Sequence, residues 1–489
     1  MTKIVIPYAP VVGWSDVAGA SIANPGEQND AFEAAVKAVY SPSEDTRYIR
    51  STMDKARKML ATADELRQMG SRIPQLIEAY EHNLRAEALI DFEDLVTSAL
   101  RLVEEFPFVR RALAARYRCL YVDEYQDLPP ALDRLVRALC FSDVDVRLFA
   151  VGDPDQSIYG WTGSRPELLD ELSNTDEIAT VRLNVNYRCG AEIIAYSQRV
   201  LPSEREIGAV REGGEVRAVH CPSGIDEQRQ ETGGIVDKAR ALGTPLEEIA
   251  VICRKNEECS EMADFLRARS IPCFVRSGHY GLTAATMLVE NLAAWVVFPR
   301  GSSGRSLSDL LRTWHGLLGT SAKPTDDVSL VRLLRESAQT PNQPASEFLQ
   351  AVIDRGLGAS LRSRANSQDA QEIAKMRSAL TEGDLSGLTL QALADRARPV
   401  GRVEVTTMSS AKGLEFDVVI MTALEEGLVP FYWSTQDPKE LAEERRKFYV
   451  SITRARREVH LLYSGWFTWP SGASRHDGPS RFLVELGLA

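Results

Sequence analysis

The chain has 489 residues, 44% of them hydrophobic and 26% charged. That length exceeds what one hydrophobic core supports, so two to four domains are expected, and no stretch approaches the roughly 20 apolar residues of a membrane helix. The net charge of −12 argues against a generic polyanion binder, and the seven cysteines form no C-x-x-C pair, which disfavours a zinc site or disulfide framework and fits reduced cytosolic thiols. The opening MTKIVIPYAP does not read as a signal peptide, because its apolar run is too short.

Residues 1–45 carry a weak pattern: KIVIPY reads as a strand and ANPGEQND as a turn or loop. From Thr46 to about Val103 the pattern is helical and polar. In DFEDLVTSALRLVEEFP, Asp91 can cap a helix whose first turn holds Asp94, and Leu95, Ala99 and Val103 share one face. Strands and helices then alternate. RCLYVDE, DVRLFAVGD and ATVRLN read as strands; ALDRLVRALC, RPELLDELS and AEIIAYSQRVL read as helices. After Gly213-Gly214, EVRAVHC, EEIAVICR and IPCFVR are strands, and NEECSEMADFLRARS is a helix. Such alternation predicts a parallel sheet covered by helices. Residues 285–400 read as a helical insertion broken at RGSSGRS and PTDDVS, and strands return at RVEVTTM, FDVVIMTAL and REVHLLYS.

The strand ends carry the chemistry. Asp123-Glu124 closes the first strand of the alternation, and paired carboxylates there suit a magnesium ion and an activated water. VGDPDQSIYGWTG, residues 151–163, follows the next strand and places Asp153, Asp155 and Gln156 on the same sheet edge, where ligands of parallel sheets bind. NYRC, residues 186–189, adds Asn186 and Arg188 as donors for the same cleft. EERRKFYVSITRARR, residues 443–457, holds six Arg/Lys against two Glu, a local balance of +4 in an acidic chain. A solvated helix face explains such a run equally well when it stands alone.

Taken in order, VDEYQD, VGDPDQSIYGWTG, NYRC, TMSSAKGLEFDVVI with EEGLVP, and EERRKFYVSITRARR resemble successive motifs of the UvrD/Rep/PcrA helicases of superfamily 1. DFEDL, IAVICRKN and GPSRFLVEL extend the resemblance from about Leu76 to the C-terminus. It implies two RecA-like domains, the first incomplete, with ATP and Mg²⁺ as cofactors and single-stranded DNA or a 3′-tailed duplex as partner. By resemblance Asp123 holds Mg²⁺, Glu124 activates the attacking water, and Gln156 senses the γ-phosphate. Tyr187 stacks on adenine, Glu415 binds the ribose, and Arg188 and Arg454 reach the γ-phosphate. Tyr159 and Trp161 meet DNA bases, and Arg254 and Ser409 lie along the strand. Two positions depart from the family: Ser409 stands where a histidine is usual, and Thr162 where an arginine is frequent.

The expected layout is α/β: a largely helical N-terminal segment (1–90), a partial first RecA-like domain (91–178), the first part of a second (179–290), a reduced helical insertion (291–400), and the remainder of the second (401–489). The family's G-x-x-x-x-G-K-[ST] phosphate loop is missing, since no Gly-Lys pair occurs in the sequence; GSSGRS has the wrong spacing and no lysine. Several readings stay open. The chain is a fragment of a longer helicase, or a subunit whose phosphate loop comes from a second chain, with a nuclease or repair protein as a further partner. Alternatively it is a catalytically silent DNA-binding or interaction subunit.

Overall fold

A computed structural model of the chain describes residues 2–489 except 15–16, 18, 24, 41–45, 61–62, 161–162, 202–205, 277–279, 299–304, 320–322, 362–366, 383–384, 398–399 and 470–471. Trp161, Thr162 and most of RGSSGRS lie outside the described residues. The chain divides into two compact units, Met1–Val181 and Arg182–Ala489. The α/β class expected from the sequence is present.

In the first unit, helices Pro25–Val39, Thr46–Lys58 and Ile73–Ala86 bury Phe32, Met53, Leu76, Tyr80 and Leu84 against one another. A short parallel pair, β1 (Ser21–Ile22) and β2 (Leu89–Ile90), leads into helix Phe92–Glu105. Asp91 caps that helix by accepting from the Asp94 amide at 2.9 Å. The same carboxylate receives the Arg57 guanidinium and the Tyr80 hydroxyl. Leu95, Ala99 and Val103 are buried together, as their spacing predicts. Strands β3 (Cys119–Val122) and β4 (Arg147–Ala150) pair in parallel, Leu120 opposite Leu148 and Val122 opposite Ala150. Those four side chains pack on Tyr125, Val136, Leu168 and Leu172.

The second unit is built on a six-stranded sheet of order β7-β12-β11-β8-β10-β9, all neighbours parallel. The strands are β7 (Glu215–His220), β8 (Ile249–Cys253), β9 (Cys273–Val275), β10 (Val403–Thr407), β11 (Phe416–Met421) and β12 (Ala455–Tyr463). The central strands read as near-continuous apolar runs because both faces are covered; all five residues of β8 are buried. The helices between β9 and β10, from Ala284 to Arg396, form their own core around Trp314, Leu292, Phe348 and Leu393. A separate pair, β5 (Val185–Gly190) and β6 (Gly208–Arg211), precedes the sheet.

Several local expectations are corrected. KIVIPY lies in a helix, Thr2–Tyr8, whose Val5 enters the core beside Leu95. ANPGEQND does not form a loop throughout, because Pro25 opens a helix at the position where its missing N–H costs nothing. PTDDVS likewise starts a helix, Pro324–Ser337. ATVRLN is not a strand; Val181 and Leu183 are exposed and pairing begins at Val185. Helix Ile225–Ala241 goes unread in the sequence because Gly233-Gly234 interrupts its pattern. A Cβ on Gly233 would sit 2.9 Å from Arg269 Cδ, so glycine makes room for that side chain.

Candidate functional site

Strands β3 and β4 end side by side, and their following loops are stitched together. The Val151 amide donates to the Val122 carbonyl at 2.8 Å, and the Tyr125 amide donates to the Val151 carbonyl at 2.9 Å. Glu124 sits between these bonds at φ 51, a left-handed conformation that costs roughly 1–3 kcal/mol for a non-glycine residue and clusters at functional sites. Asp123 and Glu124 are exposed, and Asp123 Oδ1 accepts from the Glu124 amide at 2.9 Å.

Gln126, which the sequence shows only as a neighbour of the acidic pair, joins the two loops. It is 0% exposed. Its Nε2 donates to the Glu124 carboxylate, and its Oε1 accepts from the Asp153 amide at 2.9 Å. Gly152 is required beside it: a Cβ there would collide with Gln126 Oε1 and lie 2.8 Å from Leu169 Cδ2. Asp153 in turn accepts from the Asp155 amide at 3.2 Å and from Gln156 Nε2 at 2.9 Å. The structure therefore brings Asp123, Glu124, Asp153 and Gln156 to one edge, as the parallel pairing predicts. Tyr159 is half-buried, and burial, then the charges of Asp127 and Glu124, push its phenol pKa up.

Oxygen donors of this kind suit Mg²⁺, which is bound through one or two carboxylates and keeps its remaining positions for water and substrate phosphates. Among the described residues no group of three or more His, Cys, Asp or Glu converges as a closed metal site. Asp123, exposed at the strand end, is the residue that would hold a metal shared with a phosphate ligand, whereas both carboxylate oxygens of Asp153 accept hydrogen bonds within the loop.

The second unit places its candidate residues on opposite edges of its sheet. Arg188, Glu415 and Arg454 belong to the amino edge, where β11 and β12 begin. Asn186 Oδ1 accepts from the amides of Arg188 and Cys189, both at 2.8 Å, so it shapes the turn instead of offering a donor to a cleft. Tyr187 is 72% exposed, open for stacking. Arg188 Nε donates to Glu415 Oε2 at 2.8 Å. Glu415 also accepts from Arg456 at 3.2 Å, and Arg456 is anchored by Asp417 at 2.8 Å and by Glu248. The arginines beside Glu415, Arg188 first, hold its carboxyl below the usual range. Arg456 was legible in the sequence only as one member of a basic run. Arg454 is 2% exposed and turned inward, donating to the carbonyls of Val450 at 2.8 Å and Leu414 at 3.3 Å.

Arg254 and Ser409 belong to the carboxyl edge, one residue past β8 and two past β10, strands paired at Cys253 and Thr407. Arg254 donates to the buried Glu444 at 2.7 Å. A five-residue strand separates the edges by about 16 Å. The arginine–glutamate cluster and the Arg254–Ser409 edge are therefore distinct surfaces.

Comparison with known proteins gives this geometry its context. Residues 23–176 match the UvrD/REP helicase N-terminal domain and residues 325–465 the UvrD-like helicase C-terminal domain. The chain is 30% identical over 409 residues to the ATP-dependent DNA helicase UvrD2 of Mycobacterium tuberculosis, covering 81% of this chain and 54% of that protein. It is 26% identical over 474 residues to DNA helicase II of Haemophilus influenzae, covering 84% and 64% of the two chains. The ATP-dependent DNA helicase PcrA of Staphylococcus epidermidis is 26% identical over 470 residues, with 85% and 64% covered. The chain thus spans between about half and two thirds of the length of these curated relatives. Two family models in the expected order, each falling in a different compact unit, place the chain in the UvrD/Rep/PcrA-like family of superfamily 1 helicases.

Proposed function

We propose that the chain is the greater part of an ATP-driven DNA translocase or helicase, moving 3′ to 5′ on single-stranded DNA or from a 3′ tail. Its phosphate-binding loop comes from a polypeptide segment outside these 489 residues. The observation that carries this reading is a bare sheet face. Tyr121 is 75% and Phe149 58% exposed, paired across β3 and β4 with ring centroids 5.7 Å apart. Parallel sheets are normally covered on both faces, and this one is covered on the side of Leu120 and Leu148. A strand–loop–helix segment docking there would bring phosphate donors to the edge that holds Asp123 and Glu124.

Bound Mg²⁺ would neutralise phosphate charge. Glu124, which accepts from Gln126, would take the proton of an attacking water. Arg188 and Arg454 are the cations for charge developing in phosphoryl transfer, and both must leave their present partners to act. Those pairings are what favours the second reading, a silent DNA-binding or interaction subunit.

The deciding experiment is a DNA-stimulated ATPase assay on the chain alone and with a strand–loop–helix segment bearing G-x-x-x-x-G-K-[ST]. The chain alone should bind ATP far more weakly than micromolar, a level that represents about 8 kcal/mol in all. With the segment, activity should appear, and Glu124→Gln should stop turnover while leaving nucleotide binding nearly intact. Inactivity of the restored assembly favours the silent subunit. Low-micromolar ATP binding by the chain alone, lost in Asp123→Ala, would reveal a phosphate site of its own.

A further inference from the structure

The helical insertion joins the second unit's sheet through two chain crossings, from β9 into helix Ala284–Val297 and from helix Leu390–Arg396 back to β10. Each side has its own apolar core. Leu292, Trp314 and Phe348 belong to the insertion, Val251, Cys273 and Val405 to the sheet, and the two cores share no residue among those described. Polar side chains span the crossings instead. Tyr280, on the way in, donates its hydroxyl to Glu290 Oε1 at 2.7 Å. Arg396, on the way out, lies over the Tyr280 ring at 5.1 Å. Its Nε points at both groups, 3.0 Å from the Tyr280 oxygen and 3.2 Å from Glu290 Oε1. Its Nη1 donates to the carbonyl of Val275, the last residue of β9, at 3.4 Å. One residue before β10, Arg402 pairs with Asp395 of the insertion at 2.6 Å. Glu290 and Tyr280 are both buried. Burial, then the Glu290 charge, pushes the Tyr280 phenol up, so it remains a donor.

We infer that Tyr280, Glu290, Arg396 and the Arg402–Asp395 pair form a polar clasp that fixes the orientation of the insertion on the sheet of the second unit. The inference is independent of the helicase reading. A buried carboxylate and guanidinium are costly to desolvate, and apolar side chains of similar volume would hold the two helices together at least as well. What the charged network adds is direction. Apolar burial is non-directional and tolerates sliding, whereas a hydrogen bond weakens steeply as donor and acceptor misalign. A rotation of the insertion that parted Arg396 from Glu290 would also leave a buried charge unpaired. Arg396 is the central piece because it touches the incoming chain at Tyr280, the first helix of the insertion at Glu290 and the end of β9 at Val275. Asp395, its neighbour on the same helix, ties that helix to the outgoing chain through Arg402.

The test is the distance between nitroxide labels on Leu242→Cys, between helix Ile225–Ala241 and β8, and Val328→Cys, in the insertion, measured by pulsed electron resonance. Both positions are exposed, and the labelled chain carries Cys119→Ser and Cys140→Ser because the other five cysteines are buried. The clasp predicts one narrow distance. Arg396→Met combined with Arg402→Ala should replace it with a broad spread, since losing a hydrogen bond to a charged group shifts such an equilibrium roughly ten- to a hundredfold. Tyr280→Phe, which keeps the ring and drops the hydroxyl, should broaden the distance less. A broad distance before any clasp residue is changed, or a narrow one retained in Arg396→Met with Arg402→Ala, overturns the clasp. Should Arg396→Met lose helical content by circular dichroism, Tyr280→Phe with Arg402→Ala decides the matter, and an unchanged narrow distance there overturns the inference.

Discussion

Replacing Gln126 with alanine should loosen the carboxylate edge of the first unit more than any other single side-chain deletion there. The amide makes two bonds at once, donating to the ionised Glu124 and accepting from the Asp153 amide at 2.9 Å, from a fully buried position. A hydrogen bond to a charged group contributes about 1.5–3 kcal/mol, and a donor left without its partner costs about 1–3 kcal/mol. The two share one side chain and do not add fully, so a loss of roughly 2–4 kcal/mol is expected. Urea unfolding measures the total, and native-state amide exchange at Tyr125, Val151 and Asp153 localises it. Gln126→Glu sharpens the test. It keeps the acceptor for Asp153 but sets a second carboxylate against Glu124 in place of a donor, so it should destabilise the edge at least as much as Gln126→Ala. Gln126→Ala within about 0.5 kcal/mol of wild type, with unchanged exchange at those amides, would refute the bridge.

Three further outcomes follow from the same reasoning. Burial pushes the Glu425 carboxyl up to about 7, against accepted bonds from the Ser464 amide and Gln228. The folded state therefore holds a proton that the unfolded state has released, and stability falls as pH rises from about 4.5 to 7, by on the order of 3 kcal/mol; Glu425→Gln should flatten that slope in unfolding titrations, and an unchanged slope would refute the assignment. Arg456→Ala leaves Glu415, Asp417 and Glu248 without their shared cation; the second unit should lose about 1–3 kcal/mol, less at high salt, and no loss by urea unfolding would show the cluster to be incidental. Tyr121→Ser with Phe149→Ser should reduce self-association and dye binding at the exposed face with little change in unfolding midpoint, whereas a marked drop in the midpoint would mean those rings are packed within the unit.

Much of the fold was legible in the sequence because it depends on local pattern. The uninterrupted apolar run of β8, the Asp91 cap and the periodic Leu95, Ala99 and Val103 are each set by residues within a turn or strand of one another. KIVIPY and ATVRLN failed for the opposite reason: a short apolar or alternating run becomes a strand only if a neighbour is there to pair with it. β1 pairs with β2, and β5 finds β6 only from Val185 onward.

The site divides in the same way. The order of motifs named the candidate residues, and the β-α alternation predicts the shared edge on which Asp123, Glu124, Asp153 and Gln156 lie. What only the tertiary structure decided is which side chains hold them. Gln126 reaches Asp153 across 27 residues, and Arg188 reaches Glu415 across 227. It also decided that Arg454 turns inward, that Tyr121 and Phe149 stand exposed on one face of β3 and β4, and that Trp433 stands in solvent. Periodicity reports which face of an element is buried, but hydrogen bonds and ion pairs between distant loops depend on where the folded backbone brings their ends, and that is a property of the assembled sheet.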